Sequence, residues 1–103
     1  MSHTIALPDA LNAANAVALR RELQRSVQQA QPGAACVLDA SGVRSFDSAG
    51  LSLLLALRRH AQAQGTALTV QGWPAGLLAL AQVYGVAQLL DPSQPSAAQQ
   101  AIA

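Results

Sequence analysis

Apolar and polar positions alternate along this chain with two different periods, and the change of period marks its elements. Thr4-Ile5-Ala6-Leu7 is a short extended apolar run that Pro8 ends or places at a sheet edge. Ala16, Leu19, Leu23, Val27 and Ala30 then recur at helical spacing, which predicts a helix running to about residue 29 with that face buried. Asn12 or Asn15 is placed to cap it. Arg20, Arg21, Glu22, Gln24, Arg25 and Gln28 fall largely on the opposite side, and Pro32-Gly33 turns the chain.

Cys36-Val37-Leu38-Asp39 lies between turn signals and predicts a strand covered on both faces. Ser41-Gly42 opens a loop, and Asp47-Ser48-Ala49-Gly50 leads into a second helix over about residues 49–64, with Gly65 as its left-handed C-terminal cap. Leu68-Thr69-Val70 is the next strand, closed by Gly72, and Pro74 suits a first helical position. A third helix carries Leu77, Leu80, Ala81 and Tyr84 and stops at Gly85. Residues 86–90 read as a last short strand or edge, and residues 92–103, rich in Gln, Ser, Ala and Pro, as a flexible C-terminal tail. The alternation predicts an α/β fold over residues 1–91: one domain with a short, mostly parallel β-sheet and crossover helices packed against it.

Composition narrows the function. The 103 residues fit one domain, and 51% hydrophobic against 11% charged residues excludes a disordered chain. All six basic residues are arginines and the net charge is +1, too little for a nucleic-acid groove. Arg20, Arg21 and Arg25, and separately Arg58 and Arg59, read as two solvated helix faces. So apolar and near-neutral a surface favours a permanent protein partner. Cys36 is the single cysteine, excludes a disulfide within the chain and reads as a small buried hydrophobe. No secretory leader pattern is visible, and the longest apolar run, residues 51–57 with Ser52 inside it, is far short of the roughly 20 residues a membrane-spanning helix needs. The expectation is a cytoplasmic protein with no direct membrane insertion.

Little in the sequence suggests catalysis. His3 sits in a loose, frayed terminal segment and His60 far along the second helix, neither with a sequence partner, and no ligand pair has zinc-like spacing. There is no phosphate-binding loop and no dinucleotide fingerprint. The expectation is a protein that is not an enzyme and holds no metal or cofactor. The informative segment is Val37 to Leu51, where a strand ends in a polar loop that places a hydroxyl at a helix start. Two readings stand. Either Asp47 or Ser48 caps the helix, or the hydroxyl is presented at the positive helix end, where a phosphate or a partner's acceptor is favoured.

Helical phase adds a surface to this point. Leu53, Leu54, Leu57 and Ala61 gather on one side of the second helix, facing the sheet. Ser48, Leu51, Ser52, Leu55, Arg59 and Gln62 gather on the other. Two outward leucines beside Ser48 predict a partner-binding patch of Asp47, Ser48, Leu51, Ser52, Leu55 and Arg59. Partial burial beneath a loop or the first helix is the alternative. Trp73 reads as an interface anchor or a half-buried lid, and Tyr84 as a core residue with its hydroxyl at the surface.

Asp47-Ser48-Ala49-Gly50, after a Val-Leu-Asp strand and before a Leu-rich helix, resembles the STAS domains of sulfate transporters and anti-sigma factor antagonists. Gln64-Gly65 before Leu68-Thr69-Val70-Gln71-Gly72, then Leu77, Leu80-Ala81, Tyr84 and Val86, extends the similarity over about residues 4–90 and brings it nearest to the MlaB group, small cytoplasmic STAS subunits of phospholipid-transport ABC complexes. The resemblance implies a non-catalytic subunit that binds and stabilises or activates an ABC transporter ATPase at the inner-membrane face, in a system maintaining outer-membrane lipid asymmetry. It implies that Ser48 is the functional hydroxyl, which faces the ATPase in the MlaB group and is phosphorylated in anti-sigma factor antagonists. The alternative implied role is therefore an anti-sigma factor antagonist switched by an anti-sigma factor kinase. The chain departs from the antagonist pattern at Leu7-Pro8-Asp9-Ala10-Leu11-Asn12, and the expectation by comparison with that pattern is a shortened N-terminal hairpin.

Overall fold

A computed structural model describes residues 2–30 and 33–92 of the chain. Its elements are β1 (Ser2–Ala6), β2 (Ala10–Leu11), α1 (Ala16–Gln28), β3 (Ala35–Asp39), β4 (Ser45–Phe46), α2 (Ser48–Ala63), β5 (Ala67–Gln71), α3 (Ala75–Val83) and α4 (Ala87–Leu90). The order β1-β3-β5 forms a parallel three-stranded sheet, with Thr4 opposite Val37 and Val37 opposite Thr69. The pair β2-β4 forms a second, two-stranded parallel sheet. Both sheets being parallel follows from helices joining the strands, as the α/β alternation requires.

Burial along β3 alternates: Cys36 and Leu38 are buried, Ala35 is exposed, and Val37 and Asp39 are half-buried. β5 repeats this, with Leu68 and Val70 buried between exposed Ala67 and Gln71. The expectation of a strand covered on both faces is thus corrected. One face of the sheet is buried against the helices, while on the other Val37, Asp39 and Thr69 are only half-buried among the described residues, which the short run could not reveal. On the covered face α2 packs against β5 and α1 against α2. Leu19, Leu23 and Val27 of α1 join Leu53, Leu54, Leu57 and Ala61 of α2 in one core with the strand residues. Burial pushes the Cys36 thiol above its ordinary value, as expected of a small core residue.

Three local readings change. Residues 86–90 are not a strand: Ala87 and Leu90 are buried while Gln88 and Leu89 are exposed, and Leu90 N–H donates to Val86 O at 3.3 Å. That spacing is helical, and a short apolar run fits either period. His3 lies within β1, opposite Cys36, rather than in a loose end. Pro74 stands just before α3, not as its first residue, a shift of the size element ends commonly show. Gln31, Pro32 and the tail from residue 93 lie outside the described residues.

The two ends of α1 and α2 are tied by one side chain. Gln64 Nε2 donates to Val27 O at 2.8 Å and to Thr66 Oγ1 at 3.0 Å. Gly65 follows at φ +78°, the left-handed conformation that lets α2 stop and β5 begin. The Gln-Gly pair is therefore a corner, joining both helices to the strand that α2 covers.

Candidate partner-binding site at the start of α2

The site begins with the small β2-β4 sheet. Asp9 O accepts from Arg44 N–H and Ser45 N–H at 2.7 and 3.0 Å, and Leu11 O accepts from Asp47 N–H at 3.1 Å. This pins the loop so that Asp47 enters α2 in extended conformation, with φ −149° and ψ −173°. One Asp47 carboxylate oxygen accepts from Gly50 N–H at 3.1 Å, the capping bond, and the other accepts from Ala13 N–H at 3.0 Å. These two backbone donors, Ala13 first, hold the carboxyl below its ordinary range. Of the two capping readings, Asp47 is the cap. Asn15 occupies the corresponding place before α1 but forms no capping bond. Its side chain turns back, accepting from Asn12 N–H at 3.0 Å and donating to Ala10 O at 2.8 Å.

The glycine of the motif has a steric reason. A Cβ on Gly50 would lie 2.7 Å from the Leu11 carbonyl carbon and 2.8 Å from Leu11 Cβ. Only glycine lets the first turn of α2 rest directly on β2, so the spacing from Asp47 to Gly50 encodes a cap and a close backbone approach together.

Ser48 is the first residue of α2 and is exposed. Because Asp47 serves as the cap, no backbone group of the described residues engages the Ser48 hydroxyl. It stands on the rim of a groove of about 390 Å³ lined by Ser48, Leu51, Ser52, Leu55, Tyr84 and Val86. The expected outward patch is partly redrawn here. Leu51 is only 3% exposed and belongs to the core, so it floors the groove instead of projecting from it. Leu55 is half-buried against the core, as the alternative of partial burial foresaw. Leu51 belongs to the core cluster, Leu55 and Val86 pack against it, and Tyr84 and Val86 line the groove with them, an arrangement that helical phase alone could not show.

Tyr84, expected in the core, is 56% exposed and forms the opposite wall, beside Val83 at 81%. Tyr84 thus supplies exposed apolar surface at the groove that sequence phase assigned to the leucines. Ser52 is exposed and lines this groove, whereas Arg59 lines a different one, between α1 and α2. Trp73 is half-buried, and its Nε1–H donates to Asp91 Oδ2 at 3.0 Å, so it fastens the segment after α4. Among the described residues no group of three or more His, Cys, Asp or Glu side chains is placed to hold a metal ion. No described helix is long and apolar enough to cross a membrane.

Similarity to known proteins agrees with this architecture. Three solved structures share the fold. A STAS-domain anti-sigma-factor antagonist protein from Planctomyces limnophilus superposes with TM-score 0.72 at 18% identity, over 84% of this chain and 76% of that one. A sulfate transporter family protein from Wolinella succinogenes gives 0.69 at 15% identity, over 88% and 72%. The anti-sigma factor antagonist SpoIIAA in its unphosphorylated form gives 0.64 at 18% identity, over 98% and 84%. No curated protein matches the chain significantly. The family model described as the MlaB-type STAS domain matches residues 2–91, and with the parallel fold and the Asp47-to-Gly50 cap in place the chain belongs to the STAS-domain family.

Proposed function

We propose that this STAS domain is a non-catalytic subunit that docks on the ATPase of a phospholipid-transport ABC complex and stabilises or activates it at the cytoplasmic face of the inner membrane. One observation carries the reading: an exposed Ser48 hydroxyl, released from capping by Asp47, stands on the rim of an apolar groove between α2 and Tyr84. A hydroxyl on an apolar rim suits recognition by a protein, because the groove supplies buried area and the hydroxyl one directional bond. The match to the MlaB-type model favours an ABC ATPase as that protein. The likeness to anti-sigma factor antagonists supports a second reading, in which the same hydroxyl accepts phosphate from an anti-sigma factor kinase.

The test is capture from the native host with this domain as bait, followed by identification of what co-purifies. The expected protein is an ABC ATPase, its capture lost with Ser48→Ala and kept with Ser48→Thr. Recovery of a histidine-kinase-like ATPase together with phosphorylated Ser48 would establish the second reading in its place.

A further inference from the structure

Five of the six arginines lie on α1 and α2: Arg20, Arg21 and Arg25 on the first, Arg58 and Arg59 on the second. The only acidic residue within those two helices is Glu22. In sequence the arginines form two separate groups, but the packing of α1 against α2 brings one member of each, Arg20 and Arg59, to the same groove. Arg20 and Gln24 from α1 and Ala56, Arg59, His60 and Ala63 from α2 line a single groove of about 250 Å³. Neither Arg20 nor Arg59 has an ion-pair partner among the described residues. A second observation falls in the same groove. The Nε2 atom of His60 is buried and has no hydrogen-bond partner, a state that proteins rarely leave uncompensated.

This groove continues into the Ser48 site. Arg20 and Ala56 also line a smaller groove of about 160 Å³ with Val17, Ala49 and Ser52, and Ser52 in turn lines the Ser48 groove. The outward ridge of α2 is therefore flanked by depressions along its length, apolar at the Ser48 end and basic at the His60 end. Val17, 69% exposed, stands between them.

We propose that the basic groove receives an acidic segment of the protein that docks on the α2 ridge, with carboxylates meeting Arg20 and Arg59 while an apolar part of the same partner fills the Ser48 groove. The inference rests on the α2 ridge being a protein-docking face, as proposed above, and not on that protein being an ATPase. A carboxylate-bearing segment fits better than a lipid surface. Arg20 and Arg59 are exposed and flank one groove between two helices, which suits a narrow chain segment, whereas a membrane surface is met by basic and apolar side chains arrayed along a single amphipathic helix. Guanidinium groups also match carboxylates in paired, two-point bonds, the usual chemistry of arginine at protein interfaces.

The experiment is a titration of the isotope-labelled domain with hexaglutamate at low salt, followed by nuclear magnetic resonance, beside vesicles of phosphatidylglycerol. Hexaglutamate should shift the signals of Arg20, Gln24, Arg59 and the His60 ring, with the shifts suppressed by 0.5 M salt, as expected for charge pairing at about a 4 Å screening length. Arg20→Glu with Arg59→Glu should weaken that binding at least tenfold, and Arg20→Gln with Arg59→Gln should show a smaller loss. Both pairs are surface changes, and unchanged melts confirm that the fold is kept. Ser48→Ala should leave hexaglutamate binding intact, so failure of the ATPase reading and failure of this one are separable. The proposal is overturned if no shifts appear, if they spread evenly to Arg44, or if vesicles engage these residues more tightly than hexaglutamate does.

Discussion

The Asp47 carboxylate accepts the backbone N–H of Ala13, 34 residues earlier in the chain, at 3.0 Å. Its other oxygen caps α2 through Gly50 N–H. One side chain thus fixes the loop before α1 to the first turn of α2, and in doing so leaves Ser48 without a structural task. The division of labour between these neighbours, one holding and one presented, is what makes the site readable. It also revises the energetic expectation for the motif, since the stabilising hydroxyl of a Ser cap is not in use here.

Asp47→Ala should therefore lower the melting temperature clearly more than Ser48→Ala. The difference depends on pH. The Asp47 carboxyl is held below its ordinary value of 3.8 by its two backbone donors. Its contribution is complete above that value and is lost as pH falls through the lower folded-state value. Melts of parent and Asp47→Ala should differ at neutral pH and converge in acid. A constant difference down to pH 2 would show that charge plays no part in the cap.

Ser48→Ala should melt within about 0.5 kcal/mol of the parent, the range of surface changes that touch no special feature. Any loss of partner capture by this variant is then a loss of recognition. A destabilisation of about 1 kcal/mol or more in chemical unfolding would instead return Ser48 to a capping role.

Gly50→Ala, a change of one methyl group, should be among the most damaging small substitutions in the chain. The added Cβ meets the Leu11 backbone at 2.7 Å, so β2 and α2 must separate. Overpacking of this kind costs about 1–3 kcal/mol or more. In a domain of this size each kcal/mol lowers the melting temperature by about 4–8 °C. A variant that melts within 2 °C of the parent, as a rough bound from the same scaling, would show that the two elements are not locked together.

The face assignments of α2 are tested by pairs of variants. Leu51→Ala and Leu54→Ala should each cost about 2–5 kcal/mol, because both side chains are enclosed. Tyr84→Ala should cost little stability and weaken partner affinity about tenfold, which corresponds to 1.4 kcal/mol. Leu55→Asp should weaken the partner too, but with a measurable loss of stability, since this side chain is half-buried. Thermal melts and partner affinity measured on all four variants separate floor from wall. If Tyr84→Ala binds as the parent does, the groove is not the docking surface.

Gln64→Ala removes two hydrogen bonds, to Val27 O and Thr66 Oγ1, at a partly buried corner. At about 0.5–1.5 kcal/mol for each bond the expected loss is about 1–3 kcal/mol. Hydrogen exchange should locate the effect at the end of α1 and the start of β5, leaving the Asp47 cap protected.

Local spacing encodes much of this architecture. The periods of Leu19, Leu23 and Val27 and of Leu53, Leu54, Leu57 and Ala61 placed two helices and their buried sides. The αL glycine at Gly65 and the Asp47-to-Gly50 motif placed the second helix and its start to within a residue. The α/β alternation implied the parallel sheet, because helical crossovers leave few other ways to pair the strands. Tertiary structure decided whatever depended on segments distant in sequence. Only packing shows that Leu51 is buried in the core beside a groove that Tyr84 and Val86 also line, since phase gives a side chain's direction and not what lies above it. Only packing buries one face of β3 more deeply than the other, makes a helical turn of residues 87–90, and brings Arg20 and Arg59 into one groove. The Asp47 bond to Ala13 belongs with these. A carboxylate beside a helix start announces a cap through local geometry, but its second oxygen finds a donor only after the chain has folded back on itself.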